Sequence, residues 1–285
     1  MTGAAGMLGS DVVEAARAAG HDPVALSHSE LDIADRPAVD SAITAARPDV
    51  AVNCAAWTDV DGAEGDPNGA LAINAEGAGN VAAAAAAAGA ATLHVSSDYV
   101  FDGAAKRPYV ESDLTGPISY YGHSKLAGEH AVAAVDPRHV IVRSSWLFGA
   151  SGSNFVRTML ELAAERGDVT VVDDQHGCPT YTGQLAAALI ELAGRATAGE
   201  AQGIYHVAGA GQCSWYDFAV EIFRQADLSC EVRRGRREDL RRPAPRPAFS
   251  VLGSERDGPV LPAWQDGLSA YLAAVGGRRE PSETR

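Results

Sequence analysis

Apolar positions along the first 150 residues switch repeatedly between two spacings. Between residues 10 and 19, Val12, Val13 and Ala16 recur at helical spacing, and the pattern stops at Gly20, a residue type common just past a helix end. The run DPVALS (22–27) then reads as a short strand. A helix over 37–46, a strand DVAVNCAA (49–56), a helix through the alanine run 82–88, a strand ATLHVSS (91–97) and a helix from about 120 to 135 continue the alternation. HVIVRSSWLFG (139–149) predicts a further strand. Largely apolar strands separated by helices predict a parallel sheet covered on both faces. The seven consecutive alanines suit a helix lying close to that sheet, because they combine small side chains with high helix propensity.

Beyond residue 150 the alternation is less regular. Helices are expected near 153–166, 182–194 and 214–226, followed by a Pro/Arg-rich loop, RRGRREDLRRPAPRPAF (233–249). The expected fold is α/β, a doubly wound parallel sheet of Rossmann type with a smaller C-terminal substrate lobe. The pattern divides the chain into an NAD(P)-binding domain (1–150), a lobe sharing elements with it (151–275), and a polar tail, GGRREPSETR (276–285), expected to be disordered.

Composition narrows the function classes. The chain has 285 residues, of which 46% are hydrophobic, enough for one large domain or a domain with a lobe. Asp and Glu number 37 against 23 Lys and Arg, a net charge of −14 that repels nucleic acid phosphates and anionic lipid. The four cysteines (Cys54, Cys178, Cys213, Cys230) are scattered, so neither a disulfide framework nor a zinc knuckle is indicated. With no apolar stretch of about 18 residues and no leader-like N-terminus, a cytoplasmic protein without membrane contact is expected.

Three local patterns carry chemistry. TGAAGMLG places Gly3, Gly6 and Gly9 where a tight turn, a close approach to a pyrophosphate and a helix N-terminus are wanted. Alanine- and glycine-rich chains also produce such spacings by accident, so the motif is weak alone. In SYYGHSKLAGEH (119–130), which holds one of only two lysines in the chain, Tyr121 and Lys125 stand at i and i+4 on one helical face; Tyr120 does not. An ammonium there should lower the phenol's pKa from about 10 and make Tyr121 a usable proton donor to a carbonyl. The bland reading is an ordinary exposed pair. HVSSDYVFDG ends a strand on Ser96 and Ser97, where ligands of parallel sheets sit, although serines also simply close strands. Ser97 is the candidate donor to a substrate oxygen.

Together with NCAAWTDVDGAE, INAEGAGN, VRSSWLFG, DQHGCPTY and RRPAPRPAFSVLGSE, these segments resemble the dTDP-4-dehydrorhamnose reductase family, within the extended short-chain dehydrogenase/reductases, over essentially the whole chain. The resemblance implies reduction of the C4 ketone of dTDP-4-dehydro-L-rhamnose with NADPH or NADH. It makes Ser97, Tyr121 and Lys125 the catalytic residues, with serine where threonine is common. It places Gly3, Gly6, Met7, Leu8, Ser27, Asp32, Ile33, Ala55 and Ala56 at the cofactor, together with Tyr121 and Lys125. Thr58, Val60, Asp61, Tyr99 and Trp146 surround the sugar nucleotide, though a tryptophan ending a strand is often core. Ser27 and His28 stand where an acidic ribose anchor is usual, so nothing in the motif repels a 2′-phosphate. The arginine-rich loop suits the substrate pyrophosphate or is simply solvated. Family members can bind Mg²⁺ at a subunit interface; no cluster here calls for it, and a homodimer is compatible with the resemblance. The rival readings are a reductase of another dTDP-4-keto-6-deoxysugar and a non-catalytic NADP-binding regulatory subunit. A central strand of about five or six residues normally precedes such a glycine turn. Only Met1 and Thr2 do so here, which leads to the expectation that the native protein starts several residues upstream.

Overall fold

The structure is a computed structural model and describes residues 1–276. The expected tail therefore lies, apart from Gly276, outside the described residues.

Four parallel strands form the main sheet in the spatial order β1 (Val50–Asn53), β2 (Ala91–Ser97), β3 (Val140–Ser144), β5 (Gly203–His206). Neighbouring residues of one strand enter different cores, as pleating requires. Val140 and Val142 pack with Leu8, Val12, Leu185 and Leu189, whereas Ile141 packs with Ala78, Ala82 and Val132. One face is thus covered by α1 (Met7–Ala18) and α6 (Thr182–Thr197), the other by α2 (Arg36–Ala46), α3 (Ala78–Ala87) and α4 (Tyr120–Val135). The alanine run works as expected: Ala82, Ala84 and Ala85 are buried, and their methyl groups let α3 approach the sheet.

Thr2 occupies the position of the central strand, bridging Leu26 on one side and Asn53 on the other. Its amide donates to the Val52 carbonyl at 3.0 Å, and the Cys54 amide donates to the Thr2 carbonyl at 3.2 Å. The stretch 22–27, expected as a strand, forms no named strand; it pairs through the Leu26 bridge to Thr2 and through the Val24 carbonyl, which accepts from the Met1 ammonium at 2.8 Å. A cavity of about 460 Å³ lies beside this short pairing, lined by residues that include Met1, Val24, Leu26, Val50 and Val52.

A second core holds Phe148, Val156, Met159, Phe218, Trp264, Leu268 and Tyr271. It is built from α5 (Phe155–Glu165), α7 (Trp215–Gln225), α8 (Trp264–Gly276) and the strand pair β4 (Asp168–Val172) and β6 (Glu231–Gly235). The predicted loop 233–249 is therefore corrected at its start: Arg233, Arg234 and Gly235 run parallel to Thr170, Val171 and Val172. The strand expected over 139–149 is also interrupted. It breaks at Trp146, whose φ of 48° lies in the left-handed region.

Candidate active site

At the carboxyl ends of β1, β2 and β3 lies a cleft of about 900 Å³, a volume suited to a small-molecule ligand. Its floor begins at the glycine turn. Gly3 has φ of 69°, and a Cβ there would stand 2.5 Å from the Ala55 amide nitrogen; a Cβ on Gly9 would collide with the Gly3 carbonyl oxygen. The crossing of the two chain segments is thus possible only without side chains. Asn53 holds it together, its Oδ1 accepting from the Thr2 hydroxyl at 2.7 Å and from the Ala55 amide at 3.1 Å. Gly6 is the N-cap of α1, and no side chain caps that end, so its amides face the cleft where Met7 and Leu8 begin the helix. Such an end favours anions. Gly3, Gly6, Met7, Leu8, Ile33, Ala55 and Ala56 all line the cleft, and this side-chain-free cradle fits a dinucleotide pyrophosphate.

Ser97, Tyr121 and Lys125 line the same cleft. Ser97 is the last residue of β2. Its hydroxyl accepts from the Tyr99 amide at 3.2 Å and donates to Asp98 Oδ1 at 3.1 Å. Ser119 caps α4 by accepting from the Gly122 amide, so the helix starts with Tyr120 and Tyr121 in its first turn. Tyr120 is 50% exposed, whereas Tyr121 faces the cleft and meets the Tyr99 ring edge-on at 5.5 Å. Lys125, only 2% exposed, donates to the Val95 carbonyl at 2.8 Å. Burial lowers its pKa to about 8, opposed by the charge of Glu129 one turn further on.

The expected electrostatic tuning of Tyr121 is corrected here. Burial pushes the phenol up to about 12; the Ser97 hydroxyl pulls it down, and the charge of Asp98 adds to the rise. Desolvation is the largest cause of the rise, and the Lys125 ammonium, which donates to the Val95 carbonyl, does not offset it. Tyr121 accordingly holds its proton firmly at neutral pH.

Thr58, Val60, Tyr99 and Trp146 also line the cleft, but three predicted residues do not. Asp61 is engaged outside it, accepting from Arg246 at 2.8 and 3.0 Å and from the Ala244 amide at 3.0 Å. The Arg246 bond holds its carboxyl below the usual range. Asp32 accepts from the Ala34 amide in a local turn. Ser27 donates to Glu30 Oε2 at 2.6 Å, and its amide donates to the same oxygen at 2.8 Å. The Ser27 bonds keep Glu30 ionised to lower pH than an ordinary glutamate. An acidic group therefore does stand at this strand end, three residues later than the motif suggested.

Of the further cleft residues that escaped the sequence reading, two bear on the chemistry. Trp215 stacks on Trp146 with centroids 3.6 Å apart and planes 6° apart, although 69 positions separate them in the chain. Asp98 follows Ser97 directly and is 2% exposed. Among the described residues, no group of three or more His, Cys, Asp or Glu is arranged to hold a metal ion, and no helix is long and apolar enough to cross a membrane.

Comparisons with known proteins agree with this arrangement. The family model described as "RmlD substrate binding domain" matches residues 1–276. A dTDP-4-dehydrorhamnose reductase of Mycolicibacterium smegmatis is 45% identical, over 97% of this chain and 85% of its own. A dTDP-4-keto-6-deoxy-D-glucose reductase of Streptomyces niveus is 42% identical, over 90% and 88%. The crystal structure of dTDP-4-dehydrorhamnose reductase from Bacillus anthracis in complex with NADP superimposes with a TM-score of 0.92 at 36% identity, covering 96% of this chain and 97% of that one. With its doubly wound sheet, its glycine cradle and this likeness along the described chain, the protein belongs to the RmlD substrate-binding-domain family, that of the dTDP-4-dehydrorhamnose reductases.

Proposed function

We propose that the protein reduces the C4 ketone of dTDP-4-dehydro-β-L-rhamnose, giving dTDP-β-L-rhamnose, with NADPH or NADH as reductant. The observation that carries this reading is the convergence of Ser97, Tyr121 and Lys125 on a cleft that also contains the glycine cradle. A reduced nicotinamide, when bound, supplies the hydride for C4. The amides of Gly6, Met7 and Leu8 would hold the cofactor's pyrophosphate, and Ile33, Ala55 and Ala56 would offer it an apolar wall. Ser27 and Asp32, which do not line the cleft, would act at the adenosine end if they touch the cofactor.

Tyr121 is the proton donor to O4. A phenol whose pKa is near 12 remains protonated at neutral pH and transfers to the far more basic alkoxide forming at C4. Lys125, one turn along the helix, is mostly an ammonium below pH 8 and favours the phenolate left behind. The Ser97 hydroxyl steadies the carbonyl oxygen. Thr58, Val60, Tyr99 and the Trp146 indole receive the sugar nucleotide, while Asp61 acts through Arg246 by fixing the arginine-rich loop near Tyr99. Residues 1–150 hold the cofactor and 151–275 complete the substrate side, with α6 and β5 returning to the first layer.

A second reading, reduction of a different dTDP-4-keto-6-deoxysugar, is favoured by the name of the Streptomyces niveus relative. Incubating the purified protein with NADPH or NADH and a panel of dTDP-4-keto sugars, then following cofactor oxidation, separates the two. Turnover of none of them would remove both and leave a binding role.

A further inference from the structure

The Ser97 hydroxyl has one hydrogen and two lone pairs, and the structure asks more of it than that hydrogen can serve. One lone pair takes the Tyr99 amide at 3.2 Å. The hydrogen is directed to Asp98 Oδ1, 3.1 Å away. Reduction of a ketone needs that same hydrogen at the carbonyl oxygen. We propose that Asp98 is a positioning residue for the reaction: when its carboxyl is protonated it donates to Ser97, which frees the Ser97 hydrogen for the cleft, and when it is ionised it holds that hydrogen away. The inference deepens the proposed reduction and rests on it.

The surroundings of Asp98 favour the neutral form. Among the described residues no Lys, Arg or His pairs with it, and its Oδ2 is buried without a hydrogen-bond partner. The groups facing it are the Ser97 and Ser250 hydroxyls, the Tyr99 and Tyr121 phenols and the Cys178 thiol. The nearby cations are otherwise engaged, Arg246 with Asp61 and Lys125 with the Val95 carbonyl. Burial pushes the Asp98 carboxyl up to about 7, although both serines favour its ionised form.

Ionisation then acts twice, in the same direction. It turns the Ser97 hydrogen toward Asp98, so the hydrogen bond between Ser97 and Tyr121 is made by the phenol's proton, which points away from the substrate. The new charge also raises the phenol's pKa and weakens it as a donor. No proton is consumed by this arrangement: Asp98 carries its own through the cycle, and the proton given to O4 comes from Tyr121.

The test compares kcat/KM of wild type and Asp98→Asn from pH 6 to 8.5, with cofactor saturating. Asparagine donates to Ser97 at every pH. The ratio of variant to wild-type activity should therefore rise, approaching tenfold for each pH unit above about 7, and the loss of charge on Lys125 near 8 cancels in the ratio because both proteins share it. A side chain with a merely structural role would give a ratio independent of pH, and that result would overturn the inference. Ser250→Ala provides the second variant. Losing a hydroxyl that favours the carboxylate should shift the alkaline fall of activity to higher pH. Infrared spectroscopy of the free protein should show a protonated-carboxyl band that vanishes with a midpoint near 7 and is missing from Asp98→Asn. An active reductase lacking that band overturns the inference alone. A protein that shows the band but reduces no dTDP-4-keto sugar overturns the proposed reaction, and the inference with it.

Discussion

Replacing Glu129 by Gln should destabilise the fold more than any single change at the surface. Glu129 and Arg143 form an ion pair in which each side chain is 3% exposed, with bonds of 2.8 Å from Nε and 2.7 Å from Nη2. Ser96 donates a third hydrogen bond to Oε1 at 2.5 Å, and the guanidinium lies 5.1 Å from the Phe101 centroid. Glutamine keeps one acceptor oxygen but sets an amide N–H₂ against Nη2 and leaves the arginine charge uncompensated. Removing one partner of such a buried pair costs about 3 to 5 kcal/mol. With a urea slope of roughly 3 kcal/mol per molar, the midpoint should fall by about 1 to 1.7 M. Adding Arg143→Met removes the orphaned charge and fills the space of its stem, so the double variant should be no less stable than Glu129→Gln alone. Urea unfolding followed by circular dichroism for the four proteins of the cycle gives the coupling. A loss below about 1 kcal/mol in Glu129→Gln, or single losses that simply add, would refute the reasoning. In the same variant Lys125 loses the charge that opposes its desolvation, and its pKa should move below about 8.

Tyr121→Phe should reduce turnover by about 10² to 10⁴ while cofactor binding persists, and Tyr120→Phe, at a half-exposed ring, should change little; equal activity of the two variants in the cofactor-oxidation assay would contradict the proton-donor role. The Glu30 carboxylate at the Ser27 hydroxyl should oppose a 2′-phosphate, so Glu30→Gln is expected to raise kcat/KM for NADPH relative to NADH, an unchanged ratio speaking against it. Asp98 has a folded-state pKa of about 7, above its ordinary 3.8, so its contribution to stability is present in full below about 3.8 and is lost as pH rises to 7. Relative to wild type, Asp98→Asn should gain about 1.4 kcal/mol per pH unit across that window in urea titrations, and a flat difference would place the carboxyl's pKa at its ordinary value.

Where local spacing decides the outcome, the chain could be read directly. The strand 91–97 and the starts of the helices at Arg36, Tyr120, Thr182 and Trp215 fall within a residue or so of the expected positions, because local spacing acts through neighbours in sequence, helped at three of these helices by the capping side chains of Asp35, Ser119 and Ser214. The choice of Tyr121 over Tyr120 for the cleft followed from the same helical geometry, since a five-residue offset from Lys125 turns Tyr120 out to solvent. Other outcomes depended on partners distant in the chain. Residues 233–235 look like the start of a charged loop and instead end a strand, Glu231–Gly235, because Asp168–Val172 offers its edge. Trp215 reaches the cleft only through the packing of α7 on Trp146. The sequence by itself determined the order of strands and helices between residues 36 and 144 and brought Ser97, Tyr121 and Lys125 forward as one set, whereas β4, β5, β6 and α8 were not read from it. The charge states of that set were decided by the tertiary structure, because desolvation depends on everything that surrounds a group: burial lifts Tyr121 to about 12 and Asp98 to about 7 and lowers Lys125 to about 8, and no spacing rule in a linear chain carries that information.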